Sequence, residues 1–161
     1  MKKTPLKMGF SLIELLVTIS ILVLLTGLTI PSYRSYQRKT GLDYYSKLIK
    51  NEIQFARSYS LSPPTEHIGF DMFGVTINTT NNTFQKIKKS SDTGDVQSID
   101  SPFIIDPSYS LTTDGNNEFY FQVGMNGETD KSDNIVITLT ENSLSQTKTI
   151  TITPSGLISV D

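Results

Sequence analysis

The sequence predicts an α+β fold: a long amino-terminal helix packed on a carboxy-terminal antiparallel β-sheet or small β-sandwich. Three observations carry this. Phe10–Ile30 is a 21-residue apolar run whose only charge is Glu14. Residues 32–61 then place apolar side chains at helical spacing. After Pro63-Pro64 that spacing gives way to period-two alternation, and Ser, Thr and Asn supply 35 of the 100 residues from 62 to 161. The order divides the chain into a basic leader (1–9), an apolar helix (10–31), an amphipathic continuation (32–62) and a β head (63–161).

The apolar run comes first. As a helix, Phe10–Ile30 rises roughly 31 Å at about 1.5 Å per residue, which matches a hydrocarbon core of about 30 Å. Lys2, Lys3 and Lys7 precede it. A secretory signal would carry a shorter apolar core and then a small-x-small cleavage site. This run is too long, and the chain's only alanine is Ala56. A plain membrane anchor leaves Glu14 unexplained, because a carboxylate near the centre of a membrane helix costs about 2.5–3.5 kcal/mol. Near one end the cost is lower, but the charge still calls for a partner. Arg34, Arg38 and Lys39 balance the leader lysines across the span, so charge alone does not orient it.

The helix is expected to continue to about residue 61. Leu42, Tyr45, Ile49, Ile53 and Ala56 share one stripe at 100° per residue, with Leu48, Phe55 and Tyr59 beside it. A face this wide asks for a sheet to cover it. Pro31 lacks a backbone donor and Gly41 is a poor helix former, so a kink or weak point is expected at either. Pro63-Pro64 should end the helix.

In the head, Gly74–Asn78 and Thr83–Lys88 flank Thr80-Asn81-Asn82 as a hairpin. Glu118–Val123, Ile135–Thr140, Lys148–Thr153 and Leu157–Val160 read as further strands. Ile135, Ile137 and Leu139 share one face, as do Ile150 and Ile152. Pro154-Ser155-Gly156 reads as the last turn, and Lys89–Ser101 as a polar loop.

Other chemistry is thinly represented. There is no cysteine and one histidine, which excludes disulfides, thiolate metal sites and histidine clusters. His67, beside Glu66 in a turn after the helix, reads as an exposed loop residue rather than a catalytic one. No Gly-x-Ser-x-Gly motif is present, and no enzyme is expected. Asp114 with Asn116, and Asp130 with Asp133, lie in oxygen-rich turns that are weak calcium candidates. The same residues suit turns for backbone reasons, so no cofactor is expected. Lys86, Lys88 and Lys89 form a small basic cluster. DNA binding is the sharper reading, but the net charge of −2 opposes it, and a charged strand edge is the simpler one. Asn78-Thr79-Thr80 and Asn81-Asn82-Thr83 fit glycosylation sequons but also read as turn residues.

The stretch Lys7-Met8-Gly9-Phe10-Ser11-Leu12-Ile13-Glu14 resembles the class III signal of the type IV pilin superfamily: basic leader, Gly-Phe, a glutamate four residues later, then an apolar helix. The resemblance implies cleavage between Gly9 and Phe10 by a prepilin peptidase and N-methylation of Phe10. It also implies an assembly role for Glu14, which would neutralise a terminal amine in its own or a neighbouring subunit. Pro31 matches a proline common in type IV pilins. Glu52-Ile53-Gln54-Phe55-Ala56-Arg57-Ser58 and Ile150-Thr151-Ile152-Thr153-Pro154-Ser155-Gly156-Leu157-Ile158 are similar to segments of GspH/FimT-type minor pilins and pseudopilins.

The resemblance further implies a structural subunit of a pilus or a type II secretion-like filament. Its partners would be other pilin or pseudopilin subunits, the peptidase, an assembly ATPase, a platform membrane protein and, before assembly, membrane lipid. The amino terminus would face the cytoplasm and the head would lie outside. Losing the leader would leave 11 basic against 16 acidic residues, a net −5. The alternative is a membrane-anchored β domain that binds a ligand or partner without polymerising.

Overall fold

The computed structural model describes residues 10–161. The leader, including Gly9, lies outside the described residues. The chain forms two compact units, one ending at Gln37 and the other spanning Arg38–Asp161. A single helix, α1 (Leu12–Leu61), is assigned across both and continues through Pro31 and Gly41, so neither residue ends it. It stops two residues before Pro63-Pro64, as the restricted backbone before proline requires.

A 3-10 turn at Thr65–His67 follows. The head then adds β1 (Met72–Asn78), β2 (Thr83–Lys89), β3 (Val96–Ser98), β4 (Phe103–Ile104), β5 (Tyr109–Thr113), β6 (Glu118–Gln122), β7 (Ile135–Glu141), β8 (Gln146–Ile152) and β9 (Ile158–Val160). These make two antiparallel sheets. One has the order β3-β2-β1-β6, with β4 also paired to β2; the other has the order β5-β7-β8-β9.

The buried stripe of α1 and the inner faces of both sheets form one core. Leu42, Ile49, Ile53 and Ala56 of the helix meet Val75, Ile77, Phe84, Phe119 and Phe121 of the first sheet. Leu111, Ile135, Ile137, Leu139, Ile150 and Ile152 come from the second. The pleat sends alternate residues to opposite faces, and β7 accordingly alternates buried and half-buried along its whole length. In the first sheet, Val75 pairs with Lys86 on one side and Phe119 on the other, while Ile77 pairs with Phe84.

Three sequence expectations need correction. Lys89–Ser101 is not only loop, because β3 lies inside it and pairs Lys89 with Val96 and Ile87 with Ser98. All three β3 residues are exposed, so its backbone pairing leaves no hydrophobic alternation to read. The short β4 and the five-residue β5 are additional strands. The second helical stripe is only partly covered: Leu48 and Tyr59 are half-buried, and Phe55 remains 50% exposed.

Candidate functional site

The first unit presents an uncovered apolar helix. From Leu12 to Leu25 the large aliphatic side chains are all exposed. Among the described residues, α1 is the one helix long and apolar enough to cross a membrane. The few hydroxyls in this stretch bond back to the helix. Thr18 Oγ1 donates to the Leu15 carbonyl, Ser20 Oγ to Leu16 and Thr26 Oγ1 to Leu22, each at 2.8 Å. A helix surrounded by lipid needs such internal satisfaction of its polar atoms.

Glu14 sits in the first turn of this helix. The Ser11 backbone N–H donates to Glu14 Oε2 and the Glu14 N–H donates to Ser11 Oγ, both at 3.3 Å. This reciprocal pair is a capping box, and its signature (Ser, two residues, Glu) is legible in the sequence. The carboxylate also complements the positive end of the helix dipole. Phe10 lies just outside the helix and is 81% exposed.

In the second unit, the start of the docked helix is fixed by Tyr109 of β5. Its hydroxyl donates to the Arg38 carbonyl at 3.1 Å, and its ring stacks edge-on against Tyr45 at 4.9 Å. Gly41 makes this approach possible, because a Cβ there would lie 2.0 Å from Tyr109 Oη. Burial, then the nearby Tyr45 and Glu141, push the Tyr109 hydroxyl above its ordinary pKa. Glu141, at the end of β7, is fully buried. Its Oε1 lies 3.6 Å from Arg38 Nε, within ion-pair range but without a hydrogen bond. Its Oε2 accepts from the Leu144 N–H.

Farther along α1, Lys86 of β2 reaches Glu52 Oε2 at 2.7 Å and Asp100 Oδ2 at 2.9 Å. Burial opposes its charge, but the bonds and charges of the two carboxylates outweigh that and raise its pKa. The basic cluster is thus partitioned. Lys86 is ion-paired, Lys88 Nζ lies 4.3 Å over the Phe70 ring, and Lys89 Nζ lies 5.2 Å over Tyr120. β2 is also flanked by β1 and β3, so it is not a sheet edge. His67 is not the exposed loop residue expected. It is 8% exposed, with its ring against Tyr59 and Phe73 and its Nδ1 3.3 Å from Lys88 Nζ. Glu66 lies 3.7 Å from its Nε2.

The oxygen-rich turns tie the head together. Asp114 Oδ1 accepts from the backbone and side-chain N–H groups of Asn116, and its Oδ2 from the Val136 N–H. Asp130 Oδ1 accepts from the Tyr120 N–H, and its Oδ2 faces Lys131 at 3.3 Å. Asp133 is exposed. Among the described residues, no three His, Asp or Glu side chains gather as metal ligands. Asn78 Oδ1 accepts from the Thr80 and Asn81 N–H groups, which builds the β1–β2 turn.

Two short stretches separated in sequence meet at the far end of the docked helix. Arg57 Nε donates to the Gly127 carbonyl at 3.2 Å, and the same side chain lies against Gly156.

No family model matches this chain, and no curated protein matches it. Two solved structures do. One is the minor pseudopilin EpsH from the type 2 secretion system of Vibrio cholerae, with a TM-score of 0.58 at 9% identity, covering 74% of this chain and 95% of that one. The other is the type IV minor pilin FimU of Pseudomonas aeruginosa, with a TM-score of 0.60 at 11% identity, covering 78% and 92%. The likeness shows the fold: a long helix packed on antiparallel sheets in the pilin-like arrangement.

Proposed function

We propose that the chain is a structural subunit of a type IV pilus or type II secretion-like filament, of the minor pilin or pseudopilin kind. One observation carries the reading: a helix whose amino-terminal half is apolar and uncovered, and whose carboxy-terminal half is the core helix of a pilin-like head. The uncovered half would be stored in the cytoplasmic membrane with the head outside, then packed against other subunits' helices in a filament. A prepilin peptidase would cut between Gly9 and Phe10, and Phe10 would be methylated. Glu14 would neutralise the new amine of a neighbouring subunit, setting axial register because an unpaired buried charge is strongly disfavoured. A platform membrane protein and an ATPase would drive assembly; the reading calls on no cofactor and no catalysis.

Intact-mass measurement tests the reading. The mature chain should begin at methylated Phe10; retention of residues 1–9 in cells with an active prepilin peptidase overturns it. One observation favours the alternative of a membrane-anchored β domain that does not polymerise: Glu14 Oε2 already accepts from the Ser11 N–H within the chain. Recovery of the chain in purified filaments separates the two.

A further inference from the structure

We propose that Tyr33, Arg34 and Tyr36 form a binding surface for anionic phospholipid headgroups in the leaflet on the head's side of the membrane. The inference rests on the reading of the apolar half of α1 as a membrane span. Leu12–Ile30 is 19 residues long and rises about 29 Å, the thickness of a hydrocarbon core. The residues that follow therefore begin at headgroup level.

Tyr33 is 61% exposed and Tyr36 is 68% exposed. Each presents an apolar ring with a polar tip, the side-chain type that settles at a membrane–water boundary. Tyr33 Oη is held by a hydrogen bond from Gln37 Nε2 at 3.1 Å. Arg34 is exposed and has no acidic partner among the described residues. No carboxylate lies in the sequence between Glu14 and Asp43, so Arg34 stands without local compensation in an otherwise acidic chain.

The spacing says what surrounds them. At 100° per residue, Tyr36, Tyr33 and Arg34 spread over roughly 160° of the helix instead of sharing a narrow stripe. A protein partner on one side would need one face, whereas a headgroup layer contacts all of them. Guanidinium pairs well with phosphate oxygens, and long cationic side chains reach for the headgroup layer while their stems stay apolar.

The chain contains no tryptophan, so a single introduced Trp is a unique reporter. The whole chain is reconstituted in vesicles of phosphatidylcholine and phosphatidylglycerol. Leu22→Trp should be quenched by bromine deep in the acyl chains, and Tyr33→Trp by bromine near the headgroups. Spin-labelled lipids should show a preference for phosphatidylglycerol that weakens with salt. Arg34→Gln should lower that preference about fivefold, while Arg34→Lys retains it. Deep quenching of Leu22→Trp without an anionic preference, or with a preference unchanged in Arg34→Gln, overturns the inference and leaves the span standing. Absence of deep quenching removes the span, and the inference with it.

Discussion

Arg57 Nε and the Gly127 carbonyl are 3.2 Å apart, and this bond joins the end of the docked helix to the turn region after β6. Gly156, in the turn between β8 and β9, closes on the same point. Its φ is +77°, and a Cβ there would lie 1.9 Å from the Gly127 carbonyl oxygen and 2.9 Å from Arg57 Nε. The Ala56-Arg57-Ser58 and Pro154-Ser155-Gly156 stretches are thus two sides of one contact that links α1 to both sheets.

Gly156→Ala should therefore destabilise the head by about 1–3 kcal/mol, from the left-handed backbone alone and more from the clash. Arg57→Ala should cost about 1–2 kcal/mol through the lost hydrogen bond and stem packing. Chemical unfolding of the full chain in detergent reads both; a neutral Gly156→Ala would show that this turn does not need glycine.

Gly41→Ala offers a test in which local and tertiary effects have opposite signs. Alanine in a helix interior is better than glycine by about 1 kcal/mol. Here the new methyl would meet Tyr109 Oη, whose ring is buried against Tyr45. The substitution should lower the unfolding midpoint despite its helix propensity. In a Tyr109→Phe background, with the hydroxyl gone, much of the loss should return, giving a coupling of at least about 0.5 kcal/mol.

These contacts separate what the sequence could show from what it could not. The helix stripe at Leu42, Ile49, Ile53 and Ala56 was legible, because burial repeats with the helical period. Ser46 and Ser60 lie on the same buried face and were not legible, because serine signals exposure. Their hydroxyls are satisfied by the Asp43 and Arg57 carbonyls, so small polar residues fill sites of close approach at little cost. β7 and β8 announced themselves through isoleucines on one face; β3 could not, since all of it is exposed. His67 reads as polar in one dimension and is buried only because Tyr59 and Phe73 converge on it. At the helix start, Gly9, Phe10 and Glu14 stand out by pattern, and the Ser11 half of the capping box is equally legible three residues before Glu14.

The Arg38–Glu141 pair should behave asymmetrically. Removing the cation with Arg38→Met leaves a buried carboxylate without its ion-pair partner. Removing the charge with Glu141→Gln leaves a neutral amide that can still accept from the Leu144 N–H. Arg38→Met should be the more destabilising, by less than the roughly 3–5 kcal/mol of a fully buried pair because Arg38 is partly exposed. Equal losses in the two variants, measured by unfolding midpoint, would show that Arg38 does not compensate Glu141.

Alkaline pH should weaken the head. Lys86 has a folded pKa raised above 10.5, with burial outweighed by Glu52 and Asp100. Tyr109 and Tyr120 are raised above 10.0, chiefly by burial, with the Tyr120 hydroxyl also bonded to Glu118. A raised folded pKa means the proton is held more tightly in the folded state. The stability it contributes is complete below the unfolded value and is lost as pH rises toward the folded one. The melting temperature should fall from about pH 10 upward. Replacing Tyr120 with Phe should reduce that slope, and an unchanged slope would exclude Tyr120 as a source.

Glu14→Gln distinguishes the two duties the first turn can give this side chain. A capping box accepts Gln in place of Glu, because the amide oxygen still takes the Ser11 N–H. Neutralising a terminal amine requires the negative charge. Under the proposed assembly role, Glu14→Gln should therefore leave helix content and membrane insertion as they are, yet remove the chain from sheared filaments. Ser11→Ala should do the reverse, weakening the helix start by about 1 kcal/mol while leaving incorporation intact. If Glu14→Gln incorporates normally, the charge of the carboxylate plays no part in assembly.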